Sequence, residues 1–186
     1  MFIYIIEEKR RIFDLVRDML KNCGKYIFLY ENAEFSEDIK KYINCNGILV
    51  FKAVSPEKNN INPGMKVDLA VFGDIKNSVN NINLGKVKTF LLNIENIDKF
   101  KNIDFGSSQI ITCGLREKDT VIFSSIDSDE GSVMLDLQRS IINIKDENIE
   151  PFEKKILLEW GIESGNTEEI LFALTILLYC GRLELE

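Results

Sequence analysis

The sequence predicts an α/β fold: a three-layer, Rossmann-like sheet, mostly parallel, with a C-terminal β-hairpin extension and a terminal helix. Three observations carry that prediction. Short apolar runs suited to buried strands alternate with helical segments as far as Gly114. After that the pattern changes to β-rich runs around an acidic turn. An apolar run from Ile170 to Cys180, broken only by Thr175, then approaches the end of the chain. The 186 residues are read as one domain, 1–186, with a parallel α/β part over 1–115 and a hairpin-and-helix part over 116–186.

The elements follow in order. Phe2 to Ile6 is a buried strand. Ile12, Leu15, Val16, Met19, Leu20 and Cys23 then fall on one face of an amphipathic helix, which Gly24 ends. Tyr26 to Tyr30 is a second strand. Ser36 caps a helix with Glu37 and Asp38 in its first turn and Ile39, Tyr42 and Ile43 on its face. Ile48 to Phe51 is a third strand, and the Asn- and Pro-rich stretch from Ser55 to Gly64 is a loop. Val67 to Phe72 is a fourth strand, and Ile75 to Leu84 is a weakly periodic helix. Thr89 to Leu92 lies in a fifth strand, Ile97 to Ile103 is a short helix or turn, and Gln109 to Cys113 is a sixth strand. Thr120 to Ile126 and Val133 to Ile142 flank the acidic turn Asp127-Ser128-Asp129-Glu130-Gly131. Asn166 caps the last helix, with Glu169 at the capping-box distance and Gly181 at the far end. No internal repeat or low-complexity linker appears.

Composition removes many chemistries. Histidine is absent, which excludes a Ser-His-Asp triad, a Cys-His pair and a histidine proton shuttle. The net charge of -7 repels phosphate backbones, so nucleic acid is not an expected partner. Lys9-Arg10-Arg11 and Lys99-Phe100-Lys101 are the densest basic runs and read as solvated helix charge. Cys23, Cys45, Cys113 and Cys180 form no CxxC and no zinc spacing, and they read as free thiols in a reducing cytosol. The Met-Phe-Ile-Tyr-Ile-Ile start is too short for a signal segment, and the run from Ile170 to Cys180 is too short to span a bilayer. A cytoplasmic protein without a membrane is the expectation.

Five residues are candidate ligand contacts: Asp74, Asn93, Cys113, Gly114 and Arg139. No catalytic residue, metal ligand or cofactor is assigned. No GxxxxGK[ST] or GxGxxG occurs, and the first strand-to-helix join is Glu7-Glu8-Lys9, acidic and free of glycine. Cys113-Gly114 lies at the predicted carboxyl end of a strand, where open α/β sheets bind ligands. A thiol there needs a base or a cation to become a nucleophile, and only Arg116 and Lys118 are near in sequence. A buried structural thiol is the ordinary alternative. The 127–131 turn lacks calcium-loop spacing, because Gln138 stands where a bidentate carboxylate is needed. Arg139 could fork onto a phosphate or carboxylate, or pair with Asp136 or Glu150. Ser124-Ser125 reads as an exposed strand face or a bend.

Several segments carry a resemblance. They are Asp68-Leu69-Ala70-Val71-Phe72-Gly73-Asp74-Ile75, then Gly85-Lys86-Val87-Lys88, then Phe90-Leu91-Leu92-Asn93-Ile94-Glu95-Asn96. Ile110-Ile111-Thr112-Cys113-Gly114-Leu115 and Asp119-Thr120-Val121-Ile122-Phe123-Ser124-Ser125-Ile126 follow. In that order, residues 67–126 are similar to the later half of the Mur ligase central domain. Mur ligases are the ATP-dependent amide-forming enzymes of peptidoglycan synthesis. The family's P-loop glycines and lysine have no counterpart before Asp68. Its Asp-His is replaced by Lys76-Asn77-Ser78-Val79, and its Asp-Asp pair becomes Glu95-Asn96, which leaves Asn93. The resemblance implies a Mur-ligase-like fold, the departures imply lost ligase activity, and Asn93 is implied as a contact to a nucleotide base. The run from Cys113-Gly114 through Thr120, Ser124-Ser125-Ile126 and Gln138-Arg139 to Glu150-Pro151 also resembles small proteins of Firmicutes.

The expected function is therefore a non-catalytic binding or regulatory protein tied to cell-wall precursor metabolism. The alternative is a small-ligand or nucleotide-binding enzyme with its site at the carboxyl strand ends. A third reading is a subunit that docks through its apolar C-terminal helix, Ile170 to Tyr179, and the partner classes left open are a protein, a small molecule and a second copy of the chain in a homo-oligomer.

Overall fold

A computed structural model describes residues 1–9, 11–20, 26–29, 48–53, 66–75, 84–100, 103–158 and 167–183. The expectations at Cys23, Gly24, Ser36 to Ile43, Cys45, Ser55 to Gly64, 76–83 and Asn166 lie outside them. The chain divides into two compact units, Met1–Ile110 and Ile111–Glu186. The division falls at Ile110, before the 115/116 change of pattern read from the sequence.

The first unit is built on a parallel sheet. Its strands are β1 (Phe2–Ile6), β2 (Tyr26–Leu29), β3 (Ile48–Ala53), β4 (Lys66–Phe72) and β5 (Lys86–Leu92), and β6 (Gln109–Thr112) straddles the division. The order is β2-β3-β1-β4-β5-β6, and the β2/β3, β1/β3, β1/β4 and β4/β5 pairs are all parallel. A parallel sheet suits this sequence because its strands are continuous apolar runs rather than alternating ones. All five residues of β1 are buried. Phe2, Tyr4 and Ile6 join a cluster with Phe72, Phe90, Leu92 and Phe100, so Ile3 and Ile5 face the other side and are buried there too. Phe72 packs on Phe90 at 6.1 Å and on Phe100 at 4.6 Å between ring centres.

Helix α1 (Arg11–Leu20) follows β1. Its buried residues are Ile12, Phe13, Val16 and Leu20, while Leu15 and Met19 are half-buried. The expected stripe is therefore rotated toward Phe13, whose ring gives it the largest apolar surface to hide. A 3-10 helix, Ile94–Phe100, stands where a short helix or turn was expected.

The second unit is antiparallel. Strands β7 (Val121–Asp127), β8 (Ser132–Leu137) and β11 (Phe152–Leu157) form a sheet in the order β11-β8-β7. β9 (Ile141–Ile142) and β10 (Asn148–Ile149) form a small ladder between them in sequence. The acidic turn joins β7 to β8 as a hairpin. Asp127 Oδ1 accepts the N–H groups of Asp129 (3.0 Å) and Glu130 (2.9 Å), and Gly131 takes a φ of 63° that favours glycine. Ser124 and Ser125 are both exposed, and the register slips between Phe123 and Ser125, so the expected exposed face and local bend coincide at a bulge. β11 was not expected from sequence.

Helix α2 (Thr167–Tyr179) follows. Every residue from Ile170 to Cys180 is buried within the chain, so this helix presents no free apolar face for docking. It ends in a Schellman motif: Gly181, at φ 62°, donates to Leu178 O at 3.0 Å, and Arg182 donates to Leu177 O at 2.9 Å.

Candidate functional site

In the first unit the place to look for a ligand is set by topology. β1 leads away through α1 toward β2 on one side, and its neighbour β4 leads to β5 on the other. Open α/β sheets bind ligands outside the carboxyl ends of such a pair, with phosphate on the helix N-terminus. Here the two strand ends are bonded directly to each other. The Gly73 N–H donates to Ile6 O at 2.9 Å, and the Glu8 N–H donates to Asp74 O at 3.1 Å. These bonds stitch the two strand ends together.

Glu7 completes the closure. It is only 2% exposed. Its carboxylate accepts the Ile12 N–H at 3.0 Å and the Phe13 N–H at 2.9 Å. These are first-turn amides of α1, which have no partner inside the helix. A negative charge there is also favoured by the helix dipole. The glycine-free join that excluded a P-loop thus supplies an internal anion. Gly73 makes the packing feasible: a Cβ on it would stand 2.6 Å from Ile12 Cδ1 and 3.2 Å from Glu7 Cβ.

Asp74 and Asn93 follow the paired ends Phe72 and Leu92 of neighbouring strands, so the structure places both at one edge of the sheet. The Asp74 side chain is exposed. Asn93 is buried, and its Oδ1 accepts the Glu95 N–H at 2.9 Å while its carbonyl accepts the Asn96 N–H at 3.0 Å. Its side-chain oxygen therefore starts the 3-10 helix, a capping role that asparagine fills well.

In the second unit Cys113 and Gly114 open the turn between β6 and β7. Cys113 is fully buried, and its Sγ lies 3.2 Å from Thr175 Oγ1 on α2. The Thr175 hydroxyl donates to Leu171 O at 2.8 Å. With its hydrogen spent there, Thr175 can only accept from the thiol, so Cys113 is a protonated donor. Burial pushes the Cys113 thiol well up; the Thr175 bond pulls it back in part, and the charges of Asp119 and Glu168 raise it further. This is the opposite of an activated cysteine. Cys180, also buried, is pushed up to about 12 by desolvation. Arg116 is exposed, and its N–H donates to Asp119 Oδ2 at 3.2 Å.

Asp119 was not singled out from sequence. It is 1% exposed and lies under Gly114, whose added Cβ would stand 2.3 Å from Asp119 Oδ2. Its Oδ1 is buried with no hydrogen-bond partner. No sequence signal marked it, because its burial follows from the packing around Gly114. Arg139 is exposed on the connection from β8 to β9. Its expected carboxylates are taken by neighbours: Gln138 Nε2 donates to Asp136 Oδ2 at 3.3 Å, and Ser140 Oγ donates to Glu150 Oε2 at 3.0 Å. Among the described residues no group of three acidic or cysteine side chains is placed to hold a metal ion, and no helix is long and apolar enough to cross a membrane.

In comparison with known proteins, no family model matches the chain and no curated protein matches it.

Proposed function

We propose that the chain is a non-catalytic binding or regulatory module of Mur-ligase-like type, working in the cytoplasm on cell-wall precursor metabolism without ATP. The observation that supports this reading best lies at the bonded ends of β1 and β4, where Glu7 takes the α1 amides that a phosphate would need. The protonated Cys113 is consistent with it, since a thiol held as a donor inside the unit is not a nucleophile. A three-layer Rossmann-like arrangement accounts for the burial of both faces of β1. The link to wall precursors rests on the resemblance of residues 67–126 alone.

A second reading, a small-ligand or nucleotide-binding enzyme, draws on the adjacency of Asp74 and Asn93 at the carboxyl ends of β4 and β5. The two are separated by incubating the protein with ATP, magnesium and UDP-linked sugars and following phosphate release. The module releases none above the buffer control. Turnover that disappears in Asn93→Ala would establish the enzyme instead.

A further inference from the structure

We draw no further inference here: the strongest candidate, the buried Asp119 carboxylate beneath the turn that begins at Gly114, has one oxygen without a hydrogen-bond partner, but nothing in the structure shows which donor would meet it, and no cluster of metal-ligating side chains surrounds it among the described residues.

Discussion

The Glu7 carboxylate accepts the Phe13 N–H at 2.9 Å, so the first residue of the strand-to-helix join holds the first turn of the helix that follows. A second bond, from the Ile12 N–H at 3.0 Å, uses the other oxygen. Both bonds are buried, and both involve a charged acceptor. Glu7→Ala leaves two amides without that acceptor and costs about 2–4 kcal/mol of stability. Glu7→Gln keeps one oxygen and turns an amide toward the other N–H, at a cost of about 1–2 kcal/mol. Urea unfolding ranks the two variants. A Glu7→Ala protein as stable as its parent contradicts the capping role.

Gly73 is the second half of the same closure. Gly73→Ala puts a methyl group 2.6 Å from Ile12 Cδ1, in a place where neither strand end can withdraw without breaking the Gly73–Ile6 bond. The expected cost is about 1–3 kcal/mol. Trimming the obstruction with Ile12→Val makes room, so Gly73→Ala is less harmful in that background. A double-mutant cycle by urea unfolding measures the coupling, expected at about 0.5 kcal/mol or more. Strict additivity would mean that the methyl group meets something else.

The two buried thiols predict alkaline sensitivity. Burial raises the Cys113 thiol and takes Cys180 from its ordinary 9.0 to about 12. The folded protein therefore holds these protons more tightly than the unfolded chain does. Their contribution to stability is complete below pH 9.0; that of Cys180 is lost as pH rises from there through about 12, and that of Cys113, which burial raises further, is lost over a range that runs to higher pH still. Urea midpoints followed from pH 8 to pH 11 should fall less steeply in Cys113→Ala than in the parent, because the variant has one fewer thiol to ionise on unfolding. Equal slopes would show that Cys113 reaches solvent. Native alkylation followed by peptide mass mapping gives an independent check: Cys113 and Cys180 stay unlabelled until urea is added.

Gly114 and Asp119 predict a steric pairing in the second unit. Gly114→Ala drives a methyl group to 2.3 Å from a carboxylate oxygen that the turn itself encloses. The substitution is expected to cost about 2–3 kcal/mol. In an Asp119→Ala background the obstruction is gone, and most of that cost disappears. The melting temperatures of the four proteins decide it. A full cost in both backgrounds would place the clash on the backbone rather than on Asp119.

Much of the sheet was legible, because parallel strands buried on both faces announce themselves as unbroken apolar runs. Phe2 to Ile6 and Val67 to Phe72 are such runs, and each is a strand. The terminal helix was legible for the same reason, since an element apolar on every side must be buried. β11 was missed because Lys154 and charged neighbours interrupt Phe152 and Ile156, and a half-buried edge strand tolerates an aliphatic lysine stem with its charge outside. The capping role of Glu7 was half-visible: its acidity argued against phosphate, but its aim at the α1 amides depends on a turn that sequence does not specify. Asp119 was hidden altogether, because burial of a lone aspartate follows from packing around Gly114 and not from any pattern in the chain.

The central claim is that the crevice between β1 and β4 is closed to nucleotide phosphate. It is tested most directly by thermal unfolding of the intact chain with ATP, ADP, UDP and UDP-linked sugars, each with and without magnesium. A ligand present at a hundred times its Kd stabilises a fold by about 2.7 kcal/mol, which raises the melting temperature by several degrees. The account predicts no shift with any of them. A saturating rise with ATP or a UDP-sugar would contradict it.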